Sequence, residues 1–189
     1  MLAVRNVSLT TGPPRHREIF SGATLEVPRG SHTVVYGENG AGKSSLVRLF
    51  LGRAEADSGE VSGGALAACY FEDVDAQLFF STVKEEIEST PLNDPEIESC
   101  LTDGLSGKSV LELSYSEKAR VALYAACMLG REYLIVDSPP ADEKIDAALE
   151  IIAHRGGCTL LLLLPEGEKR NLPPGCEEYV IRNLKFEKI

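Results

Sequence analysis

The chain has 189 residues, 43% of them apolar, with 19 lysines and arginines against 29 aspartates and glutamates, for a formal net charge of −10. That length suits one domain with a sizeable core and is too short for two ordinary ones, and the apolar share excludes a disordered chain. The acidic balance argues against a nucleic-acid or anionic-membrane surface, which needs clustered Lys and Arg, and the longest apolar run, Leu160 to Leu164, falls far short of the ~20 residues of a membrane span.

Residues 1–10 alternate, with Leu2, Val4, Val7 and Leu9 apolar, and predict a first strand. Residues 11–15 predict a turn. A second strand is expected over Ile19 to Val27, and Pro28-Arg29-Gly30 turns the chain into a third, Thr33 to Tyr36. A helix opens at Ser45 and runs to Phe50. Gly59 to Gly64 precede a short buried strand, Ala67 to Phe71, and residues 83–111 carry short helical stretches broken by Pro91, Pro95, Gly104 and Gly107. Leu113 to Leu129 predicts a helix with Val121, Leu123, Ala125 and Met128 on its apolar face. Tyr133 to Asp137 reads as a strand ending in a carboxylate, Lys144 to His154 as an amphipathic helix, Thr159 to Leu164 as a fully buried strand, and Tyr179 to Ile189 as one or two closing strands. Strands alternating with helices imply a parallel α/β sheet, and the early antiparallel strands make it mixed. There is no internal repeat and no linker. The opening residues lack the pattern of a secretory signal. Cys69, Cys100, Cys127, Cys158 and Cys176 are odd in number and form no C-x-x-C pair, the pattern of reduced core thiols in a cytosolic protein. His16, His32 and His154 are scattered and suggest no ligand cluster.

Residues 37–44 read Gly-Glu-Asn-Gly-Ala-Gly-Lys-Ser, a complete G-x-x-x-x-G-K-S pattern between a strand and a helix. Gly37, Gly40 and Gly42 let the backbone curl its N–H groups toward phosphate oxygens, and the helix N-terminus adds its positive dipole end. Lys43 reaches the β/γ-phosphates and Ser44 offers a hydroxyl to Mg²⁺. The alternative is a chance glycine-rich turn, and the flanking strand and helix argue against it. A nucleoside triphosphate is therefore the expected ligand, held by Gly37, Asn39, Gly40, Ala41, Gly42, Lys43, Ser44 and Ser45.

Three later stretches follow in fixed order. Leu113-Ser114-Tyr115-Ser116-Glu117-Lys118-Ala119-Arg120 resembles the L-S-G-G-Q-x-x-R segment of ATP-binding-cassette (ABC) ATPases. Leu134-Ile135-Val136-Asp137-Ser138-Pro139-Pro140 resembles their Walker B strand, which normally ends D-E-P. Phe71 to Phe79 with Thr82-Val83-Lys84-Glu85 looks like their Q-loop region, in particular that of energy-coupling-factor and cobalt-type importers. The resemblance covers nearly the whole chain. It implies an α/β P-loop NTPase with an ABC-type mixed sheet, in a single nucleotide-binding domain over residues 1–189. A small antiparallel subdomain would stand at the start and a helical one over about 84–128. It implies ATP and Mg²⁺ as cofactors and a second cassette, the same chain or another, paired head to tail around ATP. Membrane-spanning transporter subunits would be further partners, with the protein cytoplasmic at the inner face of the membrane. By the same resemblance Asp137 holds Mg²⁺ beside Ser44, and Glu72 meets the metal as the Q-loop residue, with Gln77 as the alternative. Ser114 would contact the γ-phosphate bound by the partner. Leu78, Phe79 and Phe80 would face the groove where membrane subunits dock, or else be core.

The chain also departs from that family. Ser138 stands where active members carry the glutamate that polarises the attacking water, and Pro165 where the switch histidine follows the last buried strand. Tyr115 and Ser116 replace the paired glycines, and Glu117 the glutamine. No aromatic stands around Thr10-Thr11-Gly12, where an adenine-stacking ring is expected. Asp142 and Asp146 lie near the expected D-loop aspartate but off register. Asp142, Glu143 and Glu166 lie near the lost groups and read as solvated loop acids. The expectation is an ATP-binding transporter subunit with weak hydrolysis and no assigned catalytic residue. The alternatives are an ATPase with relocated catalytic groups, a non-transport regulatory cassette, and a structural partner that binds no nucleotide.

Overall fold

The computed structural model describes residues 1–12, 16–168, 170–172 and 175–189, so residues 13–15 of the predicted first turn lie outside the described residues. The chain opens with β1 (Leu2–Thr10), β2 (Glu18–Val27) and β3 (Thr33–Gly37), then α1 (Lys43–Phe50), β4 (Ser58–Ser62) and β5 (Ala67–Tyr70). The short helices α2 (Val83–Glu88) and α3 (Pro95–Thr102) precede α4 (Tyr115–Cys127). Then come β6 (Tyr133–Asp137), α5 (Glu143–Arg155), β7 (Thr159–Pro165), β8 (Glu177–Arg182) and β9 (Lys185–Lys188).

Among the described residues these strands form two sheets. The larger has the order β5-β6-β7-β3-β8-β9, parallel except for the closing β8–β9 pair. The smaller is antiparallel, in the order β2-β1-β4. The leucine run of β7 explains why helices must cover both faces of the larger sheet. Leu160, Leu162 and Leu164 pack into one core with Leu123 and Tyr124 of α4 and Ile145 and Leu149 of α5. Leu161 and Leu163 point the other way, into a second core with Leu46 and Leu49 of α1 and Val4, Phe20 and Leu25 of the antiparallel sheet. A strand buried on both faces carries no polar alternation, which is why this segment reads as an unbroken apolar run.

The differences from the sequence expectation have local causes. The helix expected from Leu113 begins at Tyr115, because the Ser114 side chain accepts from the Glu117 backbone N–H and caps it. The strand expected over 67–71 stops at Tyr70, and α1 already begins at Lys43. Residues 58–62 form a strand that no alternation announces. They are nearly all exposed on their side chains, and their place is set by backbone pairing to β1. All five cysteines are unpaired and partly buried at the edges of the two cores, and burial pushes the Cys158 and Cys176 thiols up to about 11. Among the described residues no helix is long and apolar enough to cross a membrane.

Leu162 lies in the central parallel ladder and is fully enclosed. Leu162→Ala should cost about 2–5 kcal/mol, the usual loss for an unfilled core cavity. Chemical denaturation would read this as a lower midpoint with an unchanged slope.

Candidate functional site

The parallel register brings the candidate groups together. Gly37 at the end of β3 pairs with Pro165 at the end of β7, and Asp137 at the end of β6 pairs with Leu163. Three motif ends from distant parts of the sequence thus share the carboxyl edge of one sheet, the usual ligand edge of open α/β folds.

The phosphate loop leaves β3 and turns into α1 through Gly40 (φ +80°) and Gly42 (φ +115°). Both are left-handed, a conformation costly for other residues. At Gly42 there is also no room, since a Cβ would lie 2.7 Å from Ile19 Cγ2 and 3.1 Å from Phe20 Cζ of β2. No side chain caps α1 and no acidic residue stands in its first turn, which leaves its N-terminal N–H groups to a ligand. Lys43 is buried, and its Nζ donates to the carbonyls of Gly37 at 2.7 Å and Glu38 at 3.2 Å.

Asp137 is buried at the foot of this loop. Burial pushes its carboxyl above the usual carboxylate range. The Glu72 charge pushes the same way, while hydrogen bonds from Ser44 and Ser138 and the Lys43 charge act against it. The Ser138 hydroxyl donates to Asp137 Oδ1 at 3.3 Å, and Ser138 itself sits at φ +51°. A buried carboxylate with a second acid nearby and a serine hydroxyl against it suits a divalent cation. Mg²⁺ commonly takes one or two protein oxygens and completes its shell with phosphates and water, so no dedicated cage is required. Among the described residues no group of three or more His, Cys, Asp or Glu side chains forms such a cage.

Glu72 and Gln77 have different surroundings. Glu72 shares a cleft with Ser44 and Asp137. Gln77 is consumed by its own loop: its Oε1 accepts from Phe71 N at 2.8 Å, and its Nε2 donates to the carbonyls of Phe71 and Asp73, each at 2.7 Å. Its side chain clasps residues 71–77 into one unit.

Ser114 is engaged within its own helix. Its hydroxyl accepts from Glu117 N at 3.3 Å, and its N–H donates to Glu117 Oε2 at 2.8 Å. Lys108 pairs with Glu117 at 2.7 Å, and the Lys108 hydrogen bond, with those from Ser114, holds that carboxyl down at about 2. Tyr115 reaches out of α4, and its hydroxyl donates to the Glu72 carbonyl at 3.2 Å. One turn on, Lys118 pairs with Asp75 at 2.6 Å. Two contacts therefore tie the start of α4 to the loop beside Asp137.

Of the three acids expected to be solvated loop acids, Glu143 is exposed in the first turn of α5, whereas Asp142 and Glu166 are engaged. Asp142 caps α5, accepting from Lys144 N at 3.0 Å and Ile145 N at 3.2 Å, and lies 3.7 Å from Arg120. Glu166 pairs with Arg182 at 2.6 Å. The sequence reading also missed Arg170, whose side chain is only 2% exposed. It donates to the Pro139 carbonyl at 2.9 Å and pairs with Glu168 at 2.9 Å and Asp146 at 3.4 Å, so it braces the segment after Asp137. No local pattern flags one arginine within a polar stretch of loop.

Leu78 packs against a core, whereas Phe79 is 81% and Phe80 45% exposed. Glu86, buried, accepts from both of their backbone N–H groups and holds this tip out. Beside it runs a cleft of about 670 Å³, lined by Val47, Arg53, Phe71, Phe79, Ala122 and Leu129, that reaches Ser44 and Asp137.

The mixed sheet, the glycine-turned phosphate loop at its carboxyl edge and the buried aspartate on the neighbouring strand define a P-loop NTPase fold. Residues 20–141 match the family described as ABC transporter, and the chain belongs to that family. A putative ABC transporter ATP-binding protein of Methanosarcina mazei is 31% identical over 173 residues, which cover 76% of this chain and 60% of that protein. The cobalt import ATP-binding protein CbiO of Rhodobacter capsulatus is 29% identical over 161 residues, which cover 71% of this chain and 58% of that protein. The chain thus spans about six-tenths of the length of these relatives. Among solved structures, cbiO1 of Clostridium perfringens, part of the ABC transporter complex cbiONQ, superposes with a TM-score of 0.76 at 22% identity, covering 98% of this chain and 86% of that one. A dimeric ATP-binding cassette in a post-hydrolysis state, bound to ADP and Pi, gives 0.80 at 16% identity, covering 99% and 97%. At such identities the likeness is one of ABC-type fold.

A buried carboxyl with a raised pKa favours the protonated form in the fold. Its stability contribution is present at acid pH and lost as pH rises through the carboxylate range and above. Asp137→Asn should therefore raise the melting temperature of the free protein by about 2–4 °C at pH 7–8. The gain should shrink toward zero as the pH is lowered through that range, which thermal unfolding across pH would measure.

Proposed function

We propose that the chain is the ATP-binding subunit of an ABC-type membrane transporter, which takes Mg-ATP on the edge shared by the phosphate loop and Asp137, pairs with a second cassette, and hydrolyses ATP slowly by itself. The observation that carries this reading is a conjunction at one sheet edge. Lys43, Ser44 and Asp137 are intact there, while Ser138 and Pro165 stand in place of an acid and an imidazole.

The backbone N–H groups from Gly37 through Asn39, Gly40, Ala41 and Gly42 to Ser45 would cradle the phosphates. Lys43 would exchange two carbonyl partners for phosphate oxygens. That swap replaces hydrogen bonds to neutral oxygens with charge-assisted ones. Ser44 and Asp137, with Glu72 beside them, would hold Mg²⁺, which supplies charge neutralisation at the phosphates. Glu72 is favoured over Gln77 because the Gln77 amide is already committed to its loop.

Slow hydrolysis is supported by what the remaining groups can do. A serine hydroxyl is not ionised at neutral pH, and that of Ser138 donates to Asp137. The absence of a positioned general base typically removes ~10²–10⁴ in rate. Pro165 has neither a side-chain donor nor a backbone N–H. Asp142 and Glu166, the acids nearest in sequence, are engaged by a helix N-terminus and by Arg182. This weakens the alternative of a relocated catalytic base.

A second cassette is supported by the family and by the dimeric likeness in fold. Because Glu117 already fills the cap at Ser114 and adds a negative charge there, this chain would give its partner's triphosphate a poorer contact than the glycine-rich segment would. A membrane-spanning partner is supported by the cleft beside the exposed Phe79 and Phe80 tip, and by relatives whose names describe import and energy-coupling-factor ATP-binding proteins. The protein would then act in the cytoplasm, at the inner face of the membrane. Nucleic acid is not an expected partner, given the net charge of −10.

Mg-ATP at 100 times its Kd should stabilise the purified chain by about 2.7 kcal/mol, read as a rise in melting temperature. Lys43→Ala should abolish the rise. Steady-state turnover of the chain alone should stay below ~1 s⁻¹. Lys43-dependent turnover at ordinary enzyme rates overturns the slow-hydrolysis part, and no thermal shift in the unaltered chain overturns the binding part.

A further inference from the structure

Just beyond Asp137 the chain leaves the sheet. Ser138 N still donates to the Leu163 carbonyl at 2.9 Å, but Pro139 and Pro140 follow, and neither has an N–H to give. Through its backbone, this segment can be held by its carbonyls alone. Pro139 is buried, so its carbonyl needs a donor. Among the described residues that donor is the Arg170 guanidinium, from Nη2 at 2.9 Å.

Arg170 is itself fixed from several sides. Its side chain is almost fully buried, 2.9 Å from Glu168 Oε1 and 3.4 Å from Asp146 Oδ1 in the first turn of α5, and two residues on Leu172 packs against a core. The loop that carries it is also tied to the phosphate loop. Glu166 N donates to the Gly37 carbonyl at 3.2 Å, and that same carbonyl accepts from Lys43 Nζ at 2.7 Å. Two residues of one loop, Glu166 and Arg170, thus connect two parts of the site. One grips the carbonyl that Lys43 would release on taking a phosphate. The other grips the backbone just past the carboxylate that would hold Mg²⁺.

We infer that Arg170 is a positioning residue that links the metal side of the site to the phosphate side, holding the backbone from Asp137 to Pro139 so that Mg²⁺ and the phosphates reinforce each other's binding. The inference rests on the proposed binding of Mg-ATP. Groups that orient a metal ligand commonly matter about 10–100-fold to metal affinity, and a coupling between two ligands is reciprocal. Loss of Arg170 should therefore remove the part of ATP affinity that depends on Mg²⁺. Metal-free ATP, held by the phosphate loop and Lys43, should bind as before.

The test is isothermal titration of the full chain with Mg-ATP and, separately, with ATP in EDTA. Truncating Arg170 alone would leave Asp146 and Glu168 without their counter-charge in a partly buried place. The arginine is therefore removed together with them, as Asp146→Asn, Glu168→Gln and Arg170→Met in one chain. This triple variant should bind Mg-ATP about tenfold more weakly than the unaltered chain and metal-free ATP within twofold of it. Arg170→Lys, which keeps the charges paired but not the planar fork, should show the same split with both acids in place. Added to Asp137→Asn, the triple substitution should cause no further loss, because both act through one metal. Lys43→Ala should weaken both ligands. If both Arg170 variants leave Mg-ATP unchanged, or weaken the two ligands equally, while binding stays dependent on Lys43, the Arg170 inference falls and the ATP-binding reading stands. If the unaltered chain binds ATP equally with and without Mg²⁺, the inference falls with the metal part of that reading. If it binds neither ligand, both fall together.

Discussion

The parallel hydrogen-bond ladder from β6 through β7 to β3 is the constraint on which everything else rests. Gly37, Asp137 and Pro165 lie far apart along the chain and meet only because these strands pair in one register. Side chains in a strand alternate with period 2, so a slip of one residue would turn Leu161 and Leu163 toward the wrong core and carry Asp137 off the ligand edge. Burial on both faces makes such a slip costly. The position of the candidate site is therefore fixed by the leucines of β7, none of which touches a ligand.

Given that edge, the site divides into what binds and what reacts. The binding half is expensive to maintain: two left-handed glycines, a loop pressed against β2, and a buried aspartate that desolvation disfavours. Such features persist when something in the working protein offsets them, and a bound cation and triphosphate would do so here. The other half is committed elsewhere, although Ser138 holds a left-handed backbone at φ +51°. Ser138 is turned inward onto Asp137, and the acids on either side are bound into helix capping and ion pairing. On the proposed reading, the chain would keep the groups that bind and lack those that act only in a transition state, the pattern expected when occupancy of the site matters more than turnover.

Much of this was legible in the sequence because it is local. The phosphate loop is contiguous, and the order of strands and helices follows from hydrophobic period and from glycine and proline. The Ser114 to Glu117 capping box can also be read from its three-residue spacing, although there it competes with a family motif. What was not legible depends on the third dimension. β4 is specified by its partner's backbone and not by its own side chains. Gln77 can be taken for a ligand-sensing residue until its amide is seen closing a loop. Arg170 is a single cation in a polar stretch, and nothing in its neighbours along the chain tells that it is buried under Pro139.

The pair of contacts from α4 to the loop after β5 has a mechanical consequence. Tyr115 grips the Glu72 carbonyl and Lys118 holds Asp75, while Gln77 stiffens the loop between them. The end of α4 that would face a neighbouring cassette and the loop beside Asp137 are in effect one lever with two handles. A displacement of Glu72 would reach the outer surface through these two contacts, and a push on that surface would return along the same arm.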